Sequence, residues 1–237
     1  MDSSFLIRPI AHIENDYREK FGIPRQSGLV PEQRSVIVFE PEYRSEEALR
    51  GIESFSHLWL IWQFSETVRD GWSPTVRPPR LGGNTRMGVF ASRSPFRPNS
   101  LGLSCVALCG VEKSAENGTV LIVSGADLMN GTPIFDVKPY VPYADCRPEA
   151  AGGFSVDPKQ YSLRVACPAE LLEHIEPPKR AALLGALQCD PRPSYQNDPE
   201  RVYKMTFGSH TVCFTVDGND LTVTDIIEET RSKTAHE

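Results

Sequence analysis

Short stretches in which apolar and polar positions alternate, and short continuous apolar runs, recur along this chain, while helical spacing is read between Pro168 and Leu187. Side chains alternate faces along a strand, so the alternating stretches predict half-buried strands and the continuous runs buried ones. Phe5, Ile7, Ile10 and Ile13 outline a first strand, and the β-branched run SVIVF (Ser35 to Phe39) a second, buried one. FSHLWLIWQF, from Phe55 to Phe64, is the most hydrophobic segment and reads as a buried strand. Trp59 and Trp62 face opposite sides of it, at least one of them into a core. Met87 to Ser92 is a short strand, and Leu101 to Val111 a longer one that sets Leu101, Leu103, Cys105, Ala107 and Cys109 against Val106 and Leu108. Asn117-Gly118 is a hairpin signal leading into a partner strand, Thr119 to Ala126. Pro133 to Tyr140 is another strand, which Pro139 limits to an edge or an end. Ser45, followed by Glu46 and Glu47, caps one short helix.

A linker-like stretch, RPEAAGGFSVD from Arg147 to Asp157, separates this part from a second unit. There Leu163 to Val165 predicts a strand, and Pro168 to Ile175 and Lys179 to Leu187 predict helices parted by Pro177-Pro178. A rigid turn, DPRPSY, comes next, then strands over Arg201–Phe207, Thr211–Val216 and Leu221–Ile227, the last two joined at Asp217-Gly218. Thr230 begins a polar tail. Many short, evenly spaced strands with few helices predict a mainly β protein. The N-terminal domain, 1–148, is expected to be an antiparallel barrel or sandwich, and 157–229 a small α+β domain.

Composition changes this picture little until charge is mapped. The chain has 237 residues, 40% apolar, and a formal charge of -6. No apolar run is long enough to span a membrane and the N-terminus has no signal-peptide core, so a cytoplasmic protein is expected. Six scattered cysteines form no CxxC pair and no zinc spacing; no metal is expected, and Cys105 and Cys109 are assigned to core packing. Against the acidic total, Arg77, Arg80, Arg86, Arg93 and Arg97 cluster in a stretch, Gly71 to Val111, that holds no Asp or Glu. Clustered guanidinium groups suit carboxylate or phosphate. Gly82, Gly83, Pro95 and Pro98 shape the same loop.

GVFASRSPFRPNSLGLS, with PPRLGGN before it and DLMNGTPIFDVKPY after it, closely resembles the TrmO/TsaA-like family. The resemblance implies an S-adenosylmethionine-dependent tRNA methyltransferase acting on the threonylcarbamoyl-adenosine beside the anticodon, at position 37. It implies a β-barrel rather than a doubly wound fold. It assigns Pro24, Arg25, Gln26, His57, Leu58, Arg93, Leu103, Asp127, Leu128, Met129 and Asn130 to the cofactor. Asn130 stands where the family usually has Asp, which keeps the turn and removes a charge. A homodimer with the cofactor near its interface is also implied.

Methyl transfer requires alignment of donor and acceptor, and this acceptor nitrogen is poorly nucleophilic until it loses a proton. Asp136, Lys138 and Tyr140 share one strand face and form a candidate catalytic surface; the plainer reading is the solvent face of an edge strand. Arg86, Phe96, Arg97 and Asn99 are candidates for RNA binding, with Phe96 stacking on a base. A non-catalytic RNA-binding module using the arginine loop is the alternative, and an enzyme acting on a small anion a third. The C-terminal domain is expected to serve tRNA recognition.

Overall fold

The computed structural model describes residues 5–68, 71–78, 81, 84–155, 162–193, 196 and 198–229. Arg80, Gly82, Gly83, Val156, Asp157, Ser194, Tyr195 and the tail from Thr230 lie outside the described residues. The first part of the chain forms β1 (Ala11–Glu14), β2 (Arg34–Phe39), β3 (His57–Gln63), β4 (Thr75–Val76), β5 (Met87–Gly88), β6 (Leu101–Ser114), β7 (Gly118–Ser124) and β8 (Pro133–Pro139). Then come α1 (Pro142–Asp145), β9 (Arg164–Ala166), α2 (Ala169–Leu172), α3 (Pro177–Gln188), β10 (Tyr203–Phe207), β11 (His210–Asp217) and β12 (Asp220–Glu228). The protein is mainly β.

Six strands close into a ring in the order β1-β2-β7-β6-β3-β8, and β8 returns to β1 through the pair Ala11 and Ile134. Alternation decides what lies inside: Ile13, Ile37, Leu58, Leu60, Leu121 and Ile134 are fully buried. β6 departs from the simplest expectation, since its inward positions are Gly102, Ser104 and Val106 while Leu101 and Leu103 point out. The cause is Trp62, whose ring fills the space that a side chain at 102 would need; a Cβ there would lie 2.2 Å from it. Cys105 and Cys109 are therefore not core residues as expected; Cys105 is half-buried and Cys109 exposed, on either side of a bulge near Leu108.

β9 to β12 form a second sheet, ordered β10-β11-β12-β9, covered by α3. Leu183, Leu187, Phe207, Phe214 and Leu221 fill its core. Two members of that core, Tyr17 and Val30, come from the connection between β1 and β2, which the sequence reads only as a loop. Lys179 Nζ also meets Asp16 Oδ1 at 3.1 Å, and Thr206 N–H donates to Glu19 Oε1 at 2.7 Å.

Other expectations shift by local causes. The first strand starts at Ala11, and Phe5, Leu6 and Ile7 are exposed because no strand pairs with them. Met87 to Ser92 is two strand residues and a 3-10 turn. The Ser45 helix is a 3-10 turn, Glu46–Leu49, with no side-chain cap. Helix α2 stops at Leu172, four residues long. Pro177-Pro178 does not interrupt a helix but opens α3, where a missing N–H costs nothing.

Candidate functional site

β6 is longer than β7, and the site is built where β7 runs out. Ser124, the end of β7, lies opposite Ala107. Beyond that point the 24–28 loop takes the place of a strand, and Cys105 N–H donates to Ser27 Oγ at 3.2 Å. Gly28 N–H donates to the Gly125 carbonyl at 2.8 Å. Gly125 has φ 74, and a Cβ there would stand 3.2 Å from Gly28 Cα. Both the torsion and the close backbone approach need glycine.

The turn after Gly125 ends a chain of hydrogen bonds that starts in the core. Trp62 Nε1 donates to Ser104 Oγ at 3.0 Å, and the Ser104 hydroxyl donates to Asp127 Oδ1 at 2.5 Å. Burial pushes the Asp127 carboxyl above its ordinary range; the Ser104 bond and the Arg93 guanidinium pull the other way without cancelling it. Leu128 is fully buried in the core, so only its backbone reaches the site, and its carbonyl accepts from Asn15 Nδ2 at 2.9 Å. Met129 is half-buried. Asn130 Oδ1 accepts the Asn15 N–H at 2.9 Å, and Asn130 N–H donates to the Tyr17 carbonyl at 2.7 Å. An aspartate would offer the same acceptor, so the exchange of Asp for Asn leaves the turn's bonding intact.

The arginine loop closes over this turn. Arg93 Nη1 donates to Gln26 Oε1. Gln26 Nε2 donates to the Arg25 carbonyl at 2.5 Å. Pro24 is buried, and the Arg25 head points to the C-terminal unit, donating to the Arg192 carbonyl at 3.1 Å. Arg97 Nη1 donates to the Ser92 carbonyl at 3.1 Å, so it braces the loop beside Arg93. Arg86 and Asn99 are exposed, Phe96 is 41% exposed and Leu103 58% exposed.

Asp136, Lys138 and Tyr140 lie on the neighbouring outer face. Ile61 of β3 pairs with Leu103 on one side and Asp136 on the other; Trp59 pairs likewise with Cys105 and Lys138. Two strand spacings, about 10 Å, separate the Leu103 and Asp136 backbones. Lys138 Nζ meets Asp136 Oδ2 at 2.8 Å. Tyr140 lies 5.8 Å from the Trp59 ring and 6.2 Å from that of His57. Partial desolvation, the Cys146 thiol and the Asp145 carboxylate push its phenol up. His57 is exposed at the start of β3, its Nδ1 2.9 Å from Ser56 Oγ, while Leu58 is fully buried.

The structure thus gathers Pro24 to Gln26, Arg93, Leu103 and the 127–130 turn at one place. It puts Asp136, Lys138 and Tyr140 two strands away, and keeps the Leu58 side chain in the core. Sequence reasoning missed Ser27, Ser104 and Trp62. The one available signal was Gly102 and Ser104 interrupting an otherwise apolar strand.

Profiles of known families match both parts of the chain: the tRNA-methyltransferase O N-terminal domain over residues 12–146 and the TrmO C-terminal domain over residues 160–229. A tRNA (adenine(37)-N6)-methyltransferase of Escherichia coli is 41% identical over 204 residues, covering 84% of this chain and 86% of that protein. One from Eikenella corrodens is 47% identical over 165 residues, covering 69% and 92%. A crystal structure of TrmO from Pseudomonas aeruginosa superposes with a TM-score of 0.77 at 31% identity, covering 96% of this chain and 99% of the other.

Proposed function

The chain belongs to the tRNA-methyltransferase O family, and from that premise we propose that it methylates N6 of the threonylcarbamoyl-adenosine at tRNA position 37, using S-adenosylmethionine. The observation that carries this reading is the meeting of Asp127, Arg93 and the 24–28 loop at the end of β6. The cofactor is a zwitterion with a sulfonium, a carboxylate and an adenine. The side chains here are a carboxylate, a guanidinium, an amide and two hydroxyls beside exposed Leu103, and this set fits such a molecule. Arg93, oriented by Gln26, holds the carboxylate. Asp127 faces the cationic part. Leu103 and Met129 cover the ring, and the backbones of Pro24 to Gln26 and Asp127 to Asn130 line it. His57 and Leu58 border the site from β3.

The cofactor supplies a methyl group activated by its sulfonium. The remaining work falls to the protein. Asp136, Lys138 and Tyr140 orient the acceptor base and line the way out for its proton, with Lys138 paired to the Asp136 carboxylate. Arg86, Arg97 and Asn99 hold RNA phosphates or the threonyl carboxylate, and Phe96 stacks on a base. The ring of strands is a barrel carrying the cofactor over residues 1–148, and residues 157–229 recognise tRNA. Arg201 and Lys204, beside Phe21 in an open groove, support that second role. Exposed Trp72, Phe90, Leu101 and Leu103 support a homodimer, and the tRNA substrate supports a cytoplasmic place of work. The deciding experiment is mass spectrometry of tRNA nucleosides from cells with and without the protein. An unchanged content of the N6-methylated nucleoside refutes the reading. Calorimetry without RNA separates it from a non-catalytic RNA-binding module, which has no affinity for S-adenosylmethionine.

A further inference from the structure

Resting on the cofactor site just described, we infer that Asp190 and Arg192 are positioning residues for the cofactor loop, so that the C-terminal unit sets cofactor affinity. Asp190 has φ 50, and no other non-glycine among the described residues has positive φ. An L-residue resists this conformation unless its surroundings impose it. Arg192 imposes it. Its side chain is almost wholly buried, with Nε 2.9 Å from Asp190 Oδ1 and Nη2 3.1 Å from Oδ2, and its own N–H donates to Oδ1 at 3.2 Å. A bidentate fork and a backbone bond on one carboxylate hold three residues in a single shape.

That shape aims two carbonyls at one target. Arg25 Nη2 donates to the Arg192 carbonyl at 3.1 Å and to the Asp190 carbonyl at 3.5 Å. The Arg25 carbonyl then takes Gln26 Nε2, and Gln26 Oε1 takes Arg93 Nη1. A continuous path therefore runs from the 190–192 turn through Arg25 and Gln26 to the guanidinium that faces Asp127. Docking alone does not explain an ion pair here, with Arg192 buried and Asp190 half-buried. Apolar packing by Tyr17 and Val30 already joins the units, and well-packed apolar groups commonly stabilise as much as a buried pair. What the pair adds is direction, fixing the Arg25 head away from the cofactor and leaving Arg93 as the carboxylate fork.

The test is calorimetric titration of the full chain with S-adenosylmethionine, without RNA. Asp190→Asn suits it, because Asn tolerates the left-handed region and keeps the side chain's size. The expected result is roughly threefold to tenfold weaker binding, the range of coupled neighbours. Arg25→Ala is expected to weaken binding similarly, and the double variant to bind no worse than Arg25→Ala alone. A further loss in the double variant, equal to that in the wild-type background, overturns the inference. Arg192→Lys keeps charge and loses the fork, and should match Asp190→Asn; wild-type affinity in both also overturns it. Arg93→Ala is the control. If it loses cofactor while Asp190→Asn does not, the cofactor site stands and the brace falls; if it binds normally, the site itself is wrong.

Discussion

Asp127 is the residue on which charge and burial disagree most usefully. Its carboxyl pKa is raised by burial from the ordinary 3.8, so the folded protein binds that proton more tightly than the unfolded chain. Stability therefore falls as pH rises from the unfolded pKa through the folded one, and the deficit persists at neutral pH. Asp127→Asn removes the titration and keeps an acceptor for Ser104. Without cofactor, this variant should melt higher than the wild type at neutral pH and show a flatter dependence of melting temperature on pH. It should also bind S-adenosylmethionine more weakly, having lost the charge that faces the cation. Thermal melts across the acidic and neutral range check the first part; superimposable curves for the two proteins would refute it. Arg93→Ala tests the partner charge. Loss of a charge-assisted hydrogen bond costs about 1.5–3 kcal/mol, so cofactor affinity should fall roughly tenfold to hundredfold. Arg97 is less clean a probe, since Nη1 already braces the Ser92 carbonyl next to Arg93.

At the scale of elements, the site depends on β6 turning its small residues inward. Trp62 lies over Gly102, its indole N–H reaches Ser104, and Ser104 reaches Asp127. One packed ring thus sets both the core and the hydroxyl that orients the carboxylate. Gly102→Ala would push a methyl into that ring, at 2.2 Å from its nearest atom. Overpacking of this kind typically costs about 1–3 kcal/mol. Urea unfolding should show a lower midpoint with little change in slope. Cofactor affinity should drop too, because the indole cannot move without disturbing Ser104. A midpoint equal to the wild type's would show that the strand register leaves more room than the geometry indicates.

For the whole molecule, the connection between β1 and β2 matters as much as either sheet. It gives Tyr17 and Val30 to the second core, Asp16 to Lys179, and the 24–28 loop to the site. The two units therefore meet through the same segment that carries the 24–28 loop. Exposed Trp72, Phe90, Leu101 and Leu103 lie before, within and after the arginine run, and exposed apolar side chains of this size favour burial against a second copy. Light scattering is expected to give twice the 26.4 kDa chain mass. Leu103→Glu should shift it toward one chain mass. A fully active protein at one chain mass would rule the dimer out.

Most strands were legible in the sequence because their signals are local. A β-branched run placed β2, an aromatic-rich apolar run placed β3, and the turns at Asn117-Gly118 and Asp217-Gly218 placed two hairpins, β7 among their strands. The arginine run and its flanking motifs pointed to the family without any coordinates. Contacts between distant residues were not legible. Which face of β6 turns inward is decided by Trp62, 40 residues before Gly102 and on another strand. Asp127 acquires its raised pKa from burial, against the hydrogen bond it accepts from Ser104, 23 residues away. Arg25 is turned toward the C-terminal unit by carbonyls 165 and 167 residues along the chain. Periodicity reports what a segment prefers to do alone. Packing volume, desolvation and the aim of a hydrogen bond exist only once the segments are brought together, and in this protein they decide what each site residue can do.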